Sequence, residues 1–215
     1  MQKYQIIFDF DGVILNSHNV KTEAFLEIFK EYGNIKAQQA QRYHLKNIGI
    51  SRFNKFEYII NKILKDKTIN PKYLNKKFQD YCFKKIKSLK INDDLKKFLR
   101  KYNKKYDMFI STATPQYDII KILKEKKIIH LFKKIYGSPK KKYEHINLIK
   151  RKSKKRIFIG DSKEDLKACL KTKTFFLLKE HRENKKIFKN KQISKIKNYK
   201  NIKNKLEKFF SIVEI

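Results

Sequence analysis

Two aspartates one residue apart, Asp9 and Asp11, close a short apolar run (Ile6 to Phe8) and are followed at once by Gly12. In extended backbone, side chains at i and i+2 point to the same side, so both carboxylates face one site. Gly12 lets the chain turn sharply beside them. Two carboxylates this close repel, and burying either costs free energy unless a cation compensates. A hard divalent metal with oxygen ligands meets that need and leaves one aspartate free for chemistry. An acidic turn facing water is the plainer alternative, and further residues decide against it.

Those residues lie beyond position 100. Asp107 to Ile110 reads as a second buried strand, running into Ser111-Thr112-Ala113-Thr114-Pro115, and Arg156 to Ile159 as a third, running into Gly160-Asp161-Ser162-Lys163-Glu164-Asp165. Apolar runs of this length, between helical patterns, are typical of strands covered on both faces. Strands alternating with helices imply a doubly wound, mostly parallel sheet, in which the ligand crevice lies beyond the carboxyl ends of the strands. Asp9, Asp11, Thr112 and Asp161 then converge on one edge. Several carboxylates there make a magnesium site with room for water and a substrate phosphate. The Thr112 hydroxyl and the first N–H groups of the following helix cradle an anion, and a lysine from the run Lys140-Lys141-Lys142 offsets the remaining charge. A carboxylate nucleophile, a metal, a hydroxyl and a lysine are the parts for phosphoryl transfer through an aspartyl-phosphate, with Asp11 placed to move the proton.

The rest of the chain positions these groups. Between the first strand and about residue 88 the pattern is helical throughout. Val20, Ala24, Phe25 and Ile28 form one stripe, residues 36–48 a more polar helix, and Phe53, Phe56, Ile59, Ile60 and Ile63 a third. A fourth begins at Pro71, suited to a first turn. Ser17 or Asn19 is expected to cap the first helix, and Ser51 the third. Further helices are expected behind Asn92/Asp93, over 115–126, 127–133 and 142–151, and after Asp161 to about 171. A minor strand at Ile135-Tyr136, one at Thr174 to Leu178, an edge strand near Ile193 to Tyr199 and a last helix carrying Ile202, Leu206, Phe209 and Phe210 complete the chain. The expected organisation is an α/β core of residues 1–15 and 89–215, Rossmann-like, with a small all-helical cap over 16–88.

The formal net charge is +34 in 215 residues, yet arginine occurs only at 42, 52, 100, 151, 156 and 182. Such a surface attracts polyanions at low salt, whereas specific nucleic-acid readout leans on arginine. Lysine spread evenly among Ile, Asn, Tyr and Phe points to compositional bias, so no specific nucleic-acid partner is expected. Cys82 and Cys169 match no metal-ligand spacing and are expected to be reduced and half-buried. No apolar run is long enough to span a membrane and no leader precedes the first strand. A soluble, cytoplasmic protein, monomeric or weakly dimeric, is expected.

The motifs resemble those of the haloacid dehalogenase superfamily, specifically its phosphatase branch with a helical cap after the first strand, the branch of phosphoglycolate phosphatases and β-phosphoglucomutases. The resemblance covers essentially the whole chain: Phe8-Asp9-Phe10-Asp11-Gly12-Val13, Phe109-Ile110-Ser111-Thr112-Ala113-Thr114-Pro115, a lysine near Gly137-Ser138-Pro139, and Ile159-Gly160-Asp161 through Asp165. It implies a magnesium-dependent phosphatase for a small phosphorylated metabolite such as a sugar phosphate. Asp9 would be nucleophile and metal ligand, and Asp11 the acid/base, with its carbonyl on the metal. Thr112, Ala113, Gly12 and the lysine would hold the phosphate. Asp161 would bind magnesium, and Asp165 would support the metal or the lysine. Asp11 argues against a dehalogenase, which lacks that second aspartate. Thr112 is favoured over Ser111 by alignment on the Thr-Pro that follows, and Lys142 over Lys140 and Lys141 by the start of the next helix. The turn Gly49-Ile50-Ser51-Arg52 resembles a cap turn of β-phosphoglucomutase-like members, so Arg52 is expected either to clamp a distal anion or to face water. Lys21 could reach the site, and His18 and His44 are expected on the cap surface. A phosphomutase is the alternative within this class, and a basic nucleic-acid-binding protein or nucleic-acid-end phosphatase the alternative outside it.

Overall fold

The computed structural model describes residues 4–150 and 155–212. Its centre is β1 (Gln5–Phe8), whose four residues are all buried. Ile6 and Phe8 face one layer of helices while Ile7 faces the other, as the period of two requires. This is why the run carries no polar alternation.

Around β1 lie β2 (Asp107–Pro115), β3 (Lys134–Ser138), β4 (Arg156–Gly160), β5 (Phe175–Lys179) and the short β6 (Lys195–Ile196). The sheet order is β3-β2-β1-β4-β5-β6, and every pairing is parallel. Phe8 is level with both Ile110 and Ile159. Residues just past these three positions therefore leave the sheet at the same edge. The order reverses at β1/β4, the place where parallel sheets of this kind open a crevice.

The segment between β1 and β2 is entirely helical: α1 (His18–Glu27), α2 (Asn34–Lys46), α3 (Arg52–Tyr58), α4 (Pro71–Ser88) and α5 (Asp93–Tyr102). A π-helical stretch, Ile59–Leu64, continues α3 and ends on Lys65 in left-handed conformation. The side chains of Asn70 and Asn92 cap α4 and α5, accepting from Lys72 and Leu95 N–H at 2.9 and 3.1 Å. Phe25, Phe56 and Phe78, from α1, α3 and α4, pack on one another with centroids 5.2–6.0 Å apart. They form an aromatic cluster continuous with the buried residues on the Ile6 and Phe8 face of the sheet.

The remaining helices are α6 (Gln116–Glu125), α7 (Lys142–Lys150), α8 (Lys163–Thr172), α9 (Arg182–Lys185) and α10 (Ile202–Ile212). α7 and α8 cover the Ile7 face of the sheet; α5, α6 and α10 cover the other.

Several expectations change in detail. β2 runs on through Thr112 to Pro115, with an irregularity of register between Ser111 and Pro115. The helix expected over 127–133 shrinks to a single turn, Ile129–Leu131, since Lys127 takes a left-handed φ of 54° that breaks it from α6. α9 is an addition. Arg151, the expected end of α7, lies outside the described residues. Cys82 and Cys169 are fully buried rather than half-buried, and both are free thiols. Among the described residues no helix is long and apolar enough to cross a membrane.

Candidate active site

Asp9 follows β1 directly, and its N–H still donates to Ile159 O of β4 at 2.9 Å. Its side chain is buried. The Phe10 N–H donates to Asp9 Oδ1 at 2.7 Å, and Lys142 Nζ lies 2.9 Å from Oδ2. Lys142 is the first residue of α7, so its ammonium reaches the strand ends from below that helix. It also donates to Asp165 Oδ1 at 2.5 Å.

Both oxygens of Asp165 are engaged. Its Oδ2 accepts from the N–H groups of Asp161 and Ser162 (3.1 and 3.0 Å) and from Ser162 Oγ (2.7 Å), while Ser162 Oγ accepts from the Asp165 N–H. This reciprocal cap fixes the start of α8. It requires Asp165 to lie against Gly160, where an added Cβ would sit 2.6 Å from Asp165 Cβ. Asp165 thus contacts Lys142 directly, and its carboxylate also lies close to those of Asp9 and Asp161.

Asp11 is reached from two elements. Ser17 Oγ donates to its Oδ1 at 2.5 Å instead of capping α1. Lys21, one turn into α1, donates to Oδ2 and to Thr114 Oγ1, and Thr114 Oγ1 in turn donates to Asp11 Oδ2 at 3.0 Å. Burial opposes ionisation of Asp11, but Lys21 with Ser17 outweighs it and holds this carboxyl far below the usual range. The turn itself is fastened by the Gly12 N–H to Leu15 O (2.8 Å) and by the Tyr199 hydroxyl, which donates to Val13 O.

Ser111 and Thr112 point opposite ways. Ser111 Oγ bonds His145 Nδ1 at 3.0 Å beneath the site. Thr112 and Ala113 line the cavity above Asp9, and Thr112 Oγ1 accepts from the Thr114 N–H at 3.1 Å.

Asp161, at the end of β4, is where the histidine expectation fails. His18 does not decorate a surface: its Nε2 is 2.7 Å from Asp161 Oδ2. His181, just past β5, places its own Nε2 2.8 Å from the same oxygen. Burial resists charging of His18, yet its hydrogen bond to Asp161 raises its pKa. The same two rings lower that of Asp161 against the effect of burial. His44 is also buried, stacked on Phe25 with centroids 4.4 Å apart, and its Nδ1 lies 3.0 Å from Lys55 Nζ. Burial, aided by Lys55, pushes His44 down to about 2, so it is a neutral acceptor.

The helical segment supplies the roof through Ile48, Gly49, Ile50, Arg52 and Lys55. Arg52 lines the cavity but is already paired. Its Nη2 donates to Asp118 Oδ2 of α6 at 2.5 Å and its Nε to Asn75 Oδ1 at 2.7 Å. Arg52 is buried, so it is not the solvated cation, one of its two expected roles. The space is small, about 60 Å³, room for roughly four to six water-sized spheres, and it is partly open to solvent.

Around Asp9, a single lysine, Lys142, is shared between two carboxylates. Burial pushes the Asp9 carboxyl well up, Lys142 opposes this, and Asp165, Asp161 and Asp11 add to it. Asp161 Oδ1 is buried without a hydrogen-bond partner. Carboxylate oxygens of Asp9, Asp161 and Asp165 lie within 4.8 Å of one another. An oxygen-ligated dication fits these three observations.

A Rossmann-like sheet whose central strand ends in Asp-x-Asp, with a lysine and a second acidic strand end beside it, defines a hydrolase class. The chain belongs to the haloacid dehalogenase-like hydrolase family, whose model matches residues 6–179. None of the curated proteins matches the sequence significantly. Among solved structures, a haloacid dehalogenase-like family hydrolase from Streptococcus pneumoniae is 21% identical, with 94% of this chain and 98% of that one covered and a TM-score of 0.73. A predicted phosphoglycolate phosphatase from Haemophilus somnus is 19% identical, covering 95% and 98%, with a TM-score of 0.74. A β-phosphoglucomutase from Clostridium difficile is 17% identical over all of both chains, with a TM-score of 0.76. At these identities the likeness is one of fold.

Proposed function

We propose that this protein is a magnesium-dependent phosphatase for a small phosphomonoester, with residues 16–88 as a cap that closes over the substrate. The observation that carries the reading is Asp9: a buried carboxylate at the end of the central strand, held at Oδ1 by the Phe10 N–H and at Oδ2 by Lys142. Two fixed contacts orient its oxygens for attack on phosphorus, the role of a carboxylate nucleophile. Thr112 and Lys142 face the phosphoryl oxygens and offset charge on them as the leaving oxygen departs.

Asp11 handles the proton. In this closed arrangement Lys21 holds it as the anion. A phosphoryl group entering beside Lys21 competes for that ammonium and raises the proton affinity of Asp11, which can then protonate the leaving alcohol. As a carboxylate again, it takes a proton from the water that hydrolyses the aspartyl-phosphate. Asp9 and Asp161 would hold magnesium, which when bound supplies positive charge against the phosphoryl oxygens.

The cavity is small, and movement of the roof would admit a metabolite and then close over it. The phosphomutase alternative uses the arginine of the cap turn for a distal group, and Arg52 is here engaged with Asp118. Phosphatase is the better reading.

The test is hydrolysis of p-nitrophenyl phosphate in magnesium. Asp9→Asn should abolish turnover, and chelation should do so reversibly. An Asp9→Asn protein with near wild-type activity would overturn the assignment. Release of little phosphate, with isomerisation of a hexose phosphate, would select the mutase instead.

A further inference from the structure

We propose that His18, Asp161 and His181 form a second cation site, for a transition dication of the zinc or cobalt class, beside the all-oxygen magnesium position. It shares only Asp161 with the phosphatase reading.

The argument begins with how the Asp161 carboxylate is used. Two imidazoles crowd one oxygen, Oδ2, at 2.7 and 2.8 Å, while Oδ1 is buried with no partner at all. The His181 ring is also oriented from behind, with Nδ1 2.7 Å from Glu183 Oε2. A neutral imidazole carries one N–H. With that N–H directed to Glu183, Nε2 turns a lone pair towards the Asp161 oxygen, and either a second ring proton or a bound cation satisfies the contact; the His18 and His181 nitrogens and an Asp161 oxygen all lie within 4.8 Å of one another, a spacing one metal ion can span. A carboxylate behind a ring whose other nitrogen faces an anionic oxygen is the usual outer arrangement of a metal-bound histidine.

The backbone at two of the three ligands is tied together. Asn184 Nδ2 donates to Asp161 O and to Lys179 O, both at 2.9 Å, and Asn184 Oδ1 accepts from the His181 N–H at 2.9 Å. That set ties the turn after β5 to the turn after β4. Gly12 keeps the space open from the β1 side: a Cβ there would lie 2.0 Å from Asp161 Oδ2 and 2.2 Å from His18 Nε2.

Two imidazole nitrogens and one carboxylate oxygen suit zinc, cobalt, nickel or iron(II), whereas magnesium favours oxygen ligands alone. Two atoms about 2.1 Å from one metal sit roughly 3.0–3.4 Å apart. Each N···O contact must therefore open by about half an ångström. Side-chain exposures of 12% for His18 and 19% for His181 leave the rings room to pivot. Three protein ligands leave positions for water.

The experiment is titration of the full chain with Co²⁺ in excess Mg²⁺, followed by visible absorption and calorimetry. One Co²⁺ per chain with ligand-field bands is expected. Affinity should fall at least 10-fold in His18→Ala and in His181→Ala. Glu183→Gln, a change at a half-exposed residue that leaves the fold unburdened, should weaken binding about 10-fold. Asp9→Asn should keep the Co²⁺ site, which separates this proposal from the phosphatase reading. Co²⁺ binding that excess Mg²⁺ abolishes, that Asp9→Asn removes, or that the histidine and Glu183 variants leave unchanged would overturn it.

Discussion

The Lys142 ammonium lies 2.5 Å from the Asp165 carboxylate, and both groups are buried. Removing one member strands the other without compensation, which costs about 3–5 kcal/mol in buried pairs. Lys142→Met should lose stability on that order, since Asp9 and Asp165 would then repel without a cation between them. Asp165→Asn should also destabilise, because the carboxylate both pairs Lys142 and caps α8. The double variant should cost less than the sum of the singles, with a coupling of about 0.5–3 kcal/mol in urea unfolding of the four proteins. Additive costs would show that the pair is not a unit.

Arg52 and Asp118 make the ion pair that joins the roof to α6, with side-chain exposures of 9% and 13%. If the roof moves to admit a metabolite, as proposed, this contact is the one that must break or slide. Asp118→Asn should therefore speed amide hydrogen exchange in α3 and leave α7 and α8 at their wild-type rates. Uniform acceleration would indicate general destabilisation, and no change would show that other contacts hold the roof.

Gly12 has φ +75°, and its missing Cβ is space occupied by Asp161 Oδ2 and His18 Nε2. Gly12→Ala should cost about 1–2 kcal/mol from the backbone alone. The added methyl must also displace Asp161. Turnover should thus fall further than the loss of folded protein accounts for, measured as activity per folded molecule by circular dichroism. Wild-type activity per folded molecule would mean that Asp161 is free to move without consequence.

What could be read from the sequence was whatever the strand ends dictate. Asp9, Thr112 and Asp161 each follow a buried apolar run, and parallel topology brings such positions to one edge regardless of their separation. Lys142 was legible because it opens a helix. The histidines were not, since no spacing rule links His18 to a partner 143 residues away. His181 carried a usable signal: it lies just past β5, so the edge that gathers Asp9 and Asp161 gathers it too. The buried pair His44 and Lys55 left no trace, because a lysine amid so many lysines reads as surface. Arg52 was located but not its partner, as Asp118 lies on a helix whose acidic first turn suggests only a dipole contact.

Lys55 makes that last blind spot measurable. Its ammonium is buried over the Phe25 ring, with neutral His44 as acceptor. Burial, and then Lys21, press its pKa down to about 7 while Asp11 opposes them. In the unfolded chain a lysine titrates near 10.4. Between these values the unfolded state holds a proton that the folded state has released, so stability rises with pH, by up to about 1.4 kcal/mol per unit from this group. Below about 7 both states carry the proton and the folded state bears the full cost of burying it. Lys55→Met removes that cost with little change of volume. The variant should be more stable than wild type at pH 7, and the difference should shrink steadily as pH approaches 10. Comparing urea unfolding of the two proteins across that range isolates Lys55 from every other group that titrates there. A stability difference that is flat in pH would show that Lys55 is not desolvated in the folded protein.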